Sequence, residues 1–459
     1  MLPKLWPLFD NCLKVDRSQS PPTDSMEWNM TIAVIGSGIS GLLAARLLAA
    51  DHDIHVLEAN SYVGGHTNTV SFEAFGRQYA ADTGFMVFND RTYPNFVRML
   101  QMLDVPARNS DMSFSVRCDK TGLEYQGSSL NGLFAQRRNL VRPSFYRMLL
   151  DVFRFNRQSL ELVQAEDYDL ELGQYLDRHR YSREFIDHYL IPMGAAIWSA
   201  PPDRFRQFPA RFIVNFFNNH GLLTVRGHPQ WKTVQGGAVR YVEAMTRSFT
   251  NRIRLNCPVV SVRRYPDRVA VTWEHGGPED FDAVVLAAHS DQSLAMLVDA
   301  SQVEREILGA FAYQRNETVL HVDPTLLPRH HRAWASWNYR IPEEEGQSVV
   351  LTYNLNRLQG HVSPNPICVT LNGTRWIDEK KILRQIEYHH PVYSREALMA
   401  QKRFHEINGR NHTYFCGAYW GHGFHEDGVN SALALGQCFG KRLESCRVAF
   451  TRDTSGTGG

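Results

Sequence analysis

The 459 residues exceed what one hydrophobic core usually organises, so two domains or a discontinuous pair are expected. A net charge of +1 gives no general affinity for nucleic acid, and no apolar run approaches the roughly 20 residues a membrane span requires. Seven scattered cysteines without a C-x-x-C pair argue against a zinc site and a disulfide framework, and they fit a reducing cytosol.

Residues 1–29 hold Pro21-Pro22 and a short apolar stretch broken by Pro3 and Pro7. Without a basic start or a long apolar centre, this reads as a flexible extension rather than a signal peptide, and Met26 or Met30 could open the folded unit. Thr31 to Ile35 is a continuous apolar run of the kind buried in parallel sheets. Gly36, Gly38 and Gly41 follow in G-x-G-x-x-G spacing. The first glycine permits a tight turn, the second lets a pyrophosphate approach the backbone, and the third lets helix and strand pack closely. The helix expected over Ile39 to Ala50 presents the N–H groups of Ile39 and Ser40 and its positive dipole end to phosphate. A second strand, Asp53 to Leu57, ends at Glu58, at the distance expected for an acid that binds ribose. The unit is a dinucleotide cradle, equally suited to NAD or FAD.

The following residues narrow the choice. Glu58-Ala59-Asn60-Ser61-Tyr62-Val63-Gly64-Gly65-His66 resembles the E-A-x-x-R-x-G-G-R segment of the flavin amine oxidase, phytoene desaturase and protoporphyrinogen oxidase superfamily. Tyr62 and His66 stand where that segment carries arginines. The resemblance continues in order: Asp82-Thr83-Gly84-Phe85 is similar to the segment beside the ribityl chain, and Val260 falls near the adenine position. A strand from Thr413 reaches Gly417, and Asp427-Gly428-Val429 opens a small-residue helix facing the flavin's pyrimidine end. Further stretches, among them DTGFMVFNDRTYPN, IPMGAAIWSAPP and FCGAYWGHGFHEDG, resemble a bacterial and plant branch of FAD-dependent, amine-oxidase-like oxidoreductases.

That resemblance implies an α/β chain: a Rossmann-type FAD-binding domain assembled from residues 30–84, 231–291 and 404–443, plus a mixed α+β substrate domain from 85–230 and 292–403. Residues 444–459 are expected as a tail. It implies FAD as cofactor and Gly36, Gly38, Ile39, Ser40, Gly41, Glu58, Ala59, Gly64, Gly65, His66, Thr83, Gly84, Val260, Gly417, Gly428 and Val429 as its binding residues. Association of this branch with cyclopropane-fatty-acid-synthase-like methyltransferases points to an acyl substrate, with desaturation as the leading reaction and a methyltransferase as a candidate partner. A small-amine oxidase, an NAD dehydrogenase and a catalytically silent FAD-binding partner stay open.

Flavin enzymes leave hydride chemistry to the cofactor, so the chain is expected to position substrate and handle protons. His422 and His425 are candidates for the latter, with loop capping as the alternative. No metal is expected at them. Trp198 faces either the cavity or the core. His321 aligns with a strand carrying a lysine near the flavin in many amine oxidases, and a core histidine is the alternative. The segment Leu133 to Gln158 carries six arginines against one acid, Asp151. Its expected apolar stripe is Phe145, Met148, Leu149 and Val152, with Arg147, Asp151 and Arg154 opposite. It reads as either a peripheral membrane contact of a cytoplasmic protein or a core-facing helix.

Overall fold

A computed structural model describes residues 29–164, 168–224, 227–344 and 349–446. The expected N-terminal extension and the tail beyond residue 446 lie outside the described residues. Strand β1 (Thr31–Ile35), helix α1 (Ile39–Leu48) and β2 (Asp53–Leu57) follow the glycine motif as expected. Every residue of α1 is buried, so its apolar sequence packs on all sides.

Short strands occupy much of residues 69–126, and helices dominate from Leu130 to Asn219, among them α2 (Pro143–Gln158), α3 (Ile191–Trp198) and α4 (Ala210–Asn219). Proline opens α2, where its missing N–H costs nothing, whereas Pro192 of α3 follows a π-helical turn, Ile186–Leu190, that runs directly into that helix. The chain then returns through β3 (Ile253–Arg254), β4 (Val259–Arg264) and β5 (Ala283–Leu286). Two long strands, β6 (Ala312–His321) and β7 (Ile382–Val392), precede β8 (Thr413–Phe415) and the closing helix α5 (His425–Cys438).

Five strands form one parallel sheet in the order β3-β2-β1-β5-β8. In register, Ile32 of β1 sits between Ile54 of β2 and Ala283 of β5. Pairs of buried aliphatics of this kind let both faces of the sheet be covered, here by α1 and α5 on one side. A seven-stranded mixed sheet holds β6 and β7, which pair antiparallel along their length. Between that sheet and the helices lies a second core rich in phenylalanine, including Phe185, Phe205, Phe208 and Phe217, all buried. Among the described residues no helix is long and apolar enough to cross a membrane.

Candidate active site

The C-terminal edge of the parallel sheet opens into one cavity of about 1560 Å³. Ile35, Leu57, Ala287 and Gly417, at the ends of β1, β2, β5 and β8, line it. This is where open α/β sheets bind ligands. The volume exceeds the roughly 300–1,000 Å³ of an ordinary ligand site, so there is room beyond one cofactor.

The glycines divide the labour as their spacing implies. Gly36 turns the chain with φ +103°. A Cβ on Gly38 would meet nothing within 4 Å, because that side of the residue faces the cavity. A Cβ on Gly41 would stand 2.0 Å from the Gly36 carbonyl oxygen, so Gly41 serves the helix–strand contact and lies outside the cavity lining. Gly64 and Gly65 also have positive φ, +127° and +59°, and Gly65 folds back until its own Cβ would be 3.2 Å from the Gly38 Cα. Two backbones meeting this closely leave a groove walled by peptide groups. α1 has no side-chain cap at Gly38, so its first N–H groups remain available.

Glu58 is buried and held from four directions. One oxygen accepts from the Ser37 N–H at 2.8 Å and its hydroxyl at 2.5 Å; the other accepts from the Asn60 N–H and side-chain amide, both at 2.8 Å. Glu58 therefore braces the two turns of the cradle as well as lining the cavity with Ala59. Val260 sits in a β-bulge of β4, between the pairs Val259–Trp273 and Ser261–Thr272. The bulge takes its peptide groups out of the ladder and turns the residue to the cavity, half exposed.

His66 gives a direct test of whether a phosphorylated cofactor fits. Its Nε2 is buried without a hydrogen-bond partner, and the ring lines the cavity next to Gly65. The ring's hydrogen bond goes to the His389 backbone, so in the neutral ring Nε2 is left as an acceptor, which suits a hydroxyl of the cofactor. Burial, then the neighbouring His289, lowers its pKa to about 4. It belongs to a wall of rings: Tyr388 stacks on it at 4.9 Å, His390 lies at 5.3 Å and His289 at 6.2 Å. Burial also lowers His289 to about 4 and His390 to about 3, so this wall is polar and uncharged at neutral pH. Sequence reasoning found His66 but missed His289, Tyr388, His389 and His390; the adjacent His389-His390 in a strand was the available signal.

Besides Gly41, four expected residues do not line the cavity. Thr83 is buried, with its hydroxyl donating to the Asn68 carbonyl and paired with Tyr388; Gly84 beside it reaches the cavity instead. A Cβ on Gly428 would stand 2.7 Å from Ile39 and 2.9 Å from the Ser40 hydroxyl, so that glycine lets α5 pack on α1. Val429 is fully buried in the same core. His321 is a core residue of the seven-stranded sheet, bonded to the Thr370 hydroxyl at 2.7 Å and accepting the Asp323 N–H at 3.1 Å. The β6 residue that reaches the cavity is Tyr313, eight positions earlier and stacked on His289 at 4.5 Å.

His422, His425 and Trp198 all line the cavity. His425 stacks on Phe85 at 3.5 Å, and its Nε2 lies 2.9 Å from the Thr67 hydroxyl and 3.1 Å from that of Tyr241. Burial holds it well below the usual histidine range. His422 stacks on Phe212 at 4.9 Å, and burial lowers it to about 4. Trp198 is both core and wall: it packs among Phe205, Phe212 and Phe216 and donates its indole N–H to the His422 carbonyl at 3.1 Å. Asp427 fixes the loop by accepting the His422 and Phe424 amides at 3.0 and 2.8 Å; burial raises its pKa to about 7 despite those bonds. Among the described residues no group of three or more His, Cys, Asp or Glu is placed to hold a metal.

Three comparisons bear on this geometry. The model of the flavin containing amine oxidoreductase family matches residues 39–319. The "Putative flavin-containing monoamine oxidase AofH" of Mycobacterium tuberculosis is 26% identical over 262 residues, which is 55% of this chain and 55% of that protein. The chain thus spans about half the length of the curated relatives it matches. Among solved structures, a CLA-producing fatty acid isomerase from P. acnes superposes with a TM-score of 0.63 at 16% identity, covering 89% of this chain and 97% of that one. Cyclohexylamine oxidase from Brevibacterium oxydans IH-35A does so with a TM-score of 0.63 at 14% identity, covering 90% and 100%. At such identities the superpositions speak for the fold. With more than half its length matched by the family model and a glycine cradle shaped for its cofactor FAD, the chain belongs to the flavin containing amine oxidoreductase family.

Proposed function

We propose that this chain is an FAD-dependent oxidoreductase whose substrate carries a long apolar chain. The observation that carries this reading is the far half of the cavity. Beyond the cradle it is walled by Met148, Val152, Met193, Ile197, Trp198 and Phe216. Among the described lining residues there is no lysine or arginine. The three carboxylates there are engaged: Glu58 by its four donors, Asp111 by Arg357 at 3.0 Å, and Glu387 by Arg315 at 2.6 Å. Glu58 is spent on the cradle and the other two on arginines, so no carboxylate is free for a substrate ammonium, whereas an acyl chain needs none. When bound, FAD supplies the hydride acceptor.

The chain's own residues prepare the rest. The aromatic and aliphatic walls exclude water from the reacting carbon. We assign proton handling to His422, a cavity histidine that burial keeps neutral at pH 7 and whose backbone is tied to Asp427 and Trp198. One structural neighbour is a fatty acid isomerase by name, and others are amine oxidases. The apolar walls of the far half favour the first kind of substrate. Anaerobic mixing of the purified flavoprotein with free fatty acids, acyl esters and small primary amines tests this. Bleaching of the flavin's visible absorbance by an acyl compound supports the reading, and bleaching by the amines alone overturns it.

A further inference from the structure

We infer that the outer face of α2 and the short turn before it form a docking surface for an anionic lipid bilayer, on the helix that also walls the cavity. Of the fourteen large apolar side chains exposed among the described residues, seven fall between Leu130 and Leu160. Val141 is 83% exposed, Leu150 69% and Phe153 57%. Tyr146, Leu150 and Phe153 recur at i, i+4 and i+7, which makes one stripe along α2. The Tyr146 hydroxyl donates to the Leu140 carbonyl at 2.9 Å and joins the preceding turn, with Val141, to that stripe.

This is not the stripe expected from the sequence. Phe145 is buried, and Met148, Leu149 and Val152 line the cavity, so the helix has an inward face, a cavity face and a third apolar face with no cover among the described residues. The arginines of this segment outnumber their carboxylate partners. Asp151, the segment's one acid, is buried, accepts the Ser182 N–H and pairs with Arg154 at 3.2 Å. Arg154 also lies over the Tyr181 ring at 4.1 Å, so that pair belongs to the fold. Arg147 has a partner in Glu184 at 3.6 Å. Among the described residues no carboxylate pairs with Arg137, Arg138, Arg142 or Arg157. The whole chain carries only +1, so positive charge is concentrated here against a net acidic remainder.

Uncovered aliphatic and aromatic side chains amid unneutralised arginines match the two layers of an anionic membrane surface, acyl below and phosphate above. The same surface would repel a second copy of itself. The cavity supplies the purpose: Leu149, Val152, Phe153 and Asn156 line it, and Phe153 is both lining and exposed. An acyl chain could therefore leave the bilayer through the face that docks while its anionic head stays with the arginines. That delivery step rests on the flavin reading above; the docking does not.

The test is co-sedimentation of the full chain with vesicles of phosphatidylcholine, alone or mixed with phosphatidylglycerol, at low and raised salt. Binding should require phosphatidylglycerol and fall with salt. Arg142→Gln with Arg157→Gln should weaken partitioning by roughly fivefold per arginine. Leu150→Ser with Phe153→Ser should abolish it. Each substituted side chain meets solvent, and unchanged melting temperature and circular dichroism would show that the fold survives. No binding to phosphatidylglycerol vesicles at low salt would overturn the proposal, as would variants that bind like the wild type. A dimer in sedimentation velocity that Leu150→Ser with Phe153→Ser dissolves would overturn it too, by showing that a second copy covers the face. None of these readouts uses flavin reduction, so failure here leaves the oxidoreductase reading standing and failure there leaves this one.

Discussion

Gly38 and Gly41 differ by three positions and by what a side chain would meet. Gly38 adopts φ −65° and faces open space, so leucine fits its backbone and fills the phosphate groove. Gly38→Leu should fold and hold no FAD, measured as flavin released per chain on heating; full occupancy would contradict the cradle. Gly41→Leu should instead lower the melting temperature, because its Cβ has no room against Gly36. His66→Ala removes the ring nitrogen with no partner. A neutral hydrogen bond contributes about 0.5–1.5 kcal/mol, so titration of the apoprotein should show FAD binding roughly twofold to tenfold weaker. These local roles could be read from sequence because a glycine's purpose is set by its immediate turn. His321 could not, since a short strand match leaves the register free and only pairing with the neighbouring strands fixes which residue of β6 faces the cavity. The ring wall was hidden for another reason. His66 and His390 are 324 positions apart, and only the closure of β7 over the cradle brings them together.

At the level of elements, α5 and α1 meet through small residues. Gly428→Leu would drive a side chain into Ile39 and Ser40 and push the N-terminus of α1 away from the groove. Overpacking of this kind costs about 1–3 kcal/mol, so both melting temperature and FAD affinity should drop. The start of α5 and the loop before it carry opposed titrations. His422, lowered from 6.5 to about 4, refuses in the folded state a proton that the unfolded chain takes, so it withdraws stability as pH falls from 6.5 toward 4. Asp427, raised from 3.8 to about 7, keeps when folded a proton that the unfolded chain has lost, so it withdraws stability as pH rises from 3.8 toward 7. The two nearly cancel across one window. Thermal melts from pH 4 to 7 should therefore show Asp427→Asn losing more stability than wild type on acidification, and His422→Phe losing less. Identical slopes for all three would remove the burial argument. The sequence placed the helix start within two residues and singled out His422, but the burial that sets both titrations comes from α4 and β7, far away in the chain.

The whole molecule joins a dinucleotide sheet, read correctly from one motif and its neighbours, to a chamber whose shape no motif encodes. Helices α2 to α4 enclose it because their phenylalanines, methionines and leucines find a common core, and such residues carry no spacing that announces a cavity. The central claim is that one cavity holds the flavin at one end and an apolar chain at the other. A homologous series of saturated fatty acids, mixed anaerobically with the flavoprotein at substrate concentrations well below saturation, tests that most directly. Each methylene buried in the chamber contributes about 0.8 kcal/mol, so the rate constant for flavin reduction per unit concentration should rise about fourfold per carbon until the chamber is full, then level off. Reduction that is independent of chain length, or fastest with a short amine, would contradict the account.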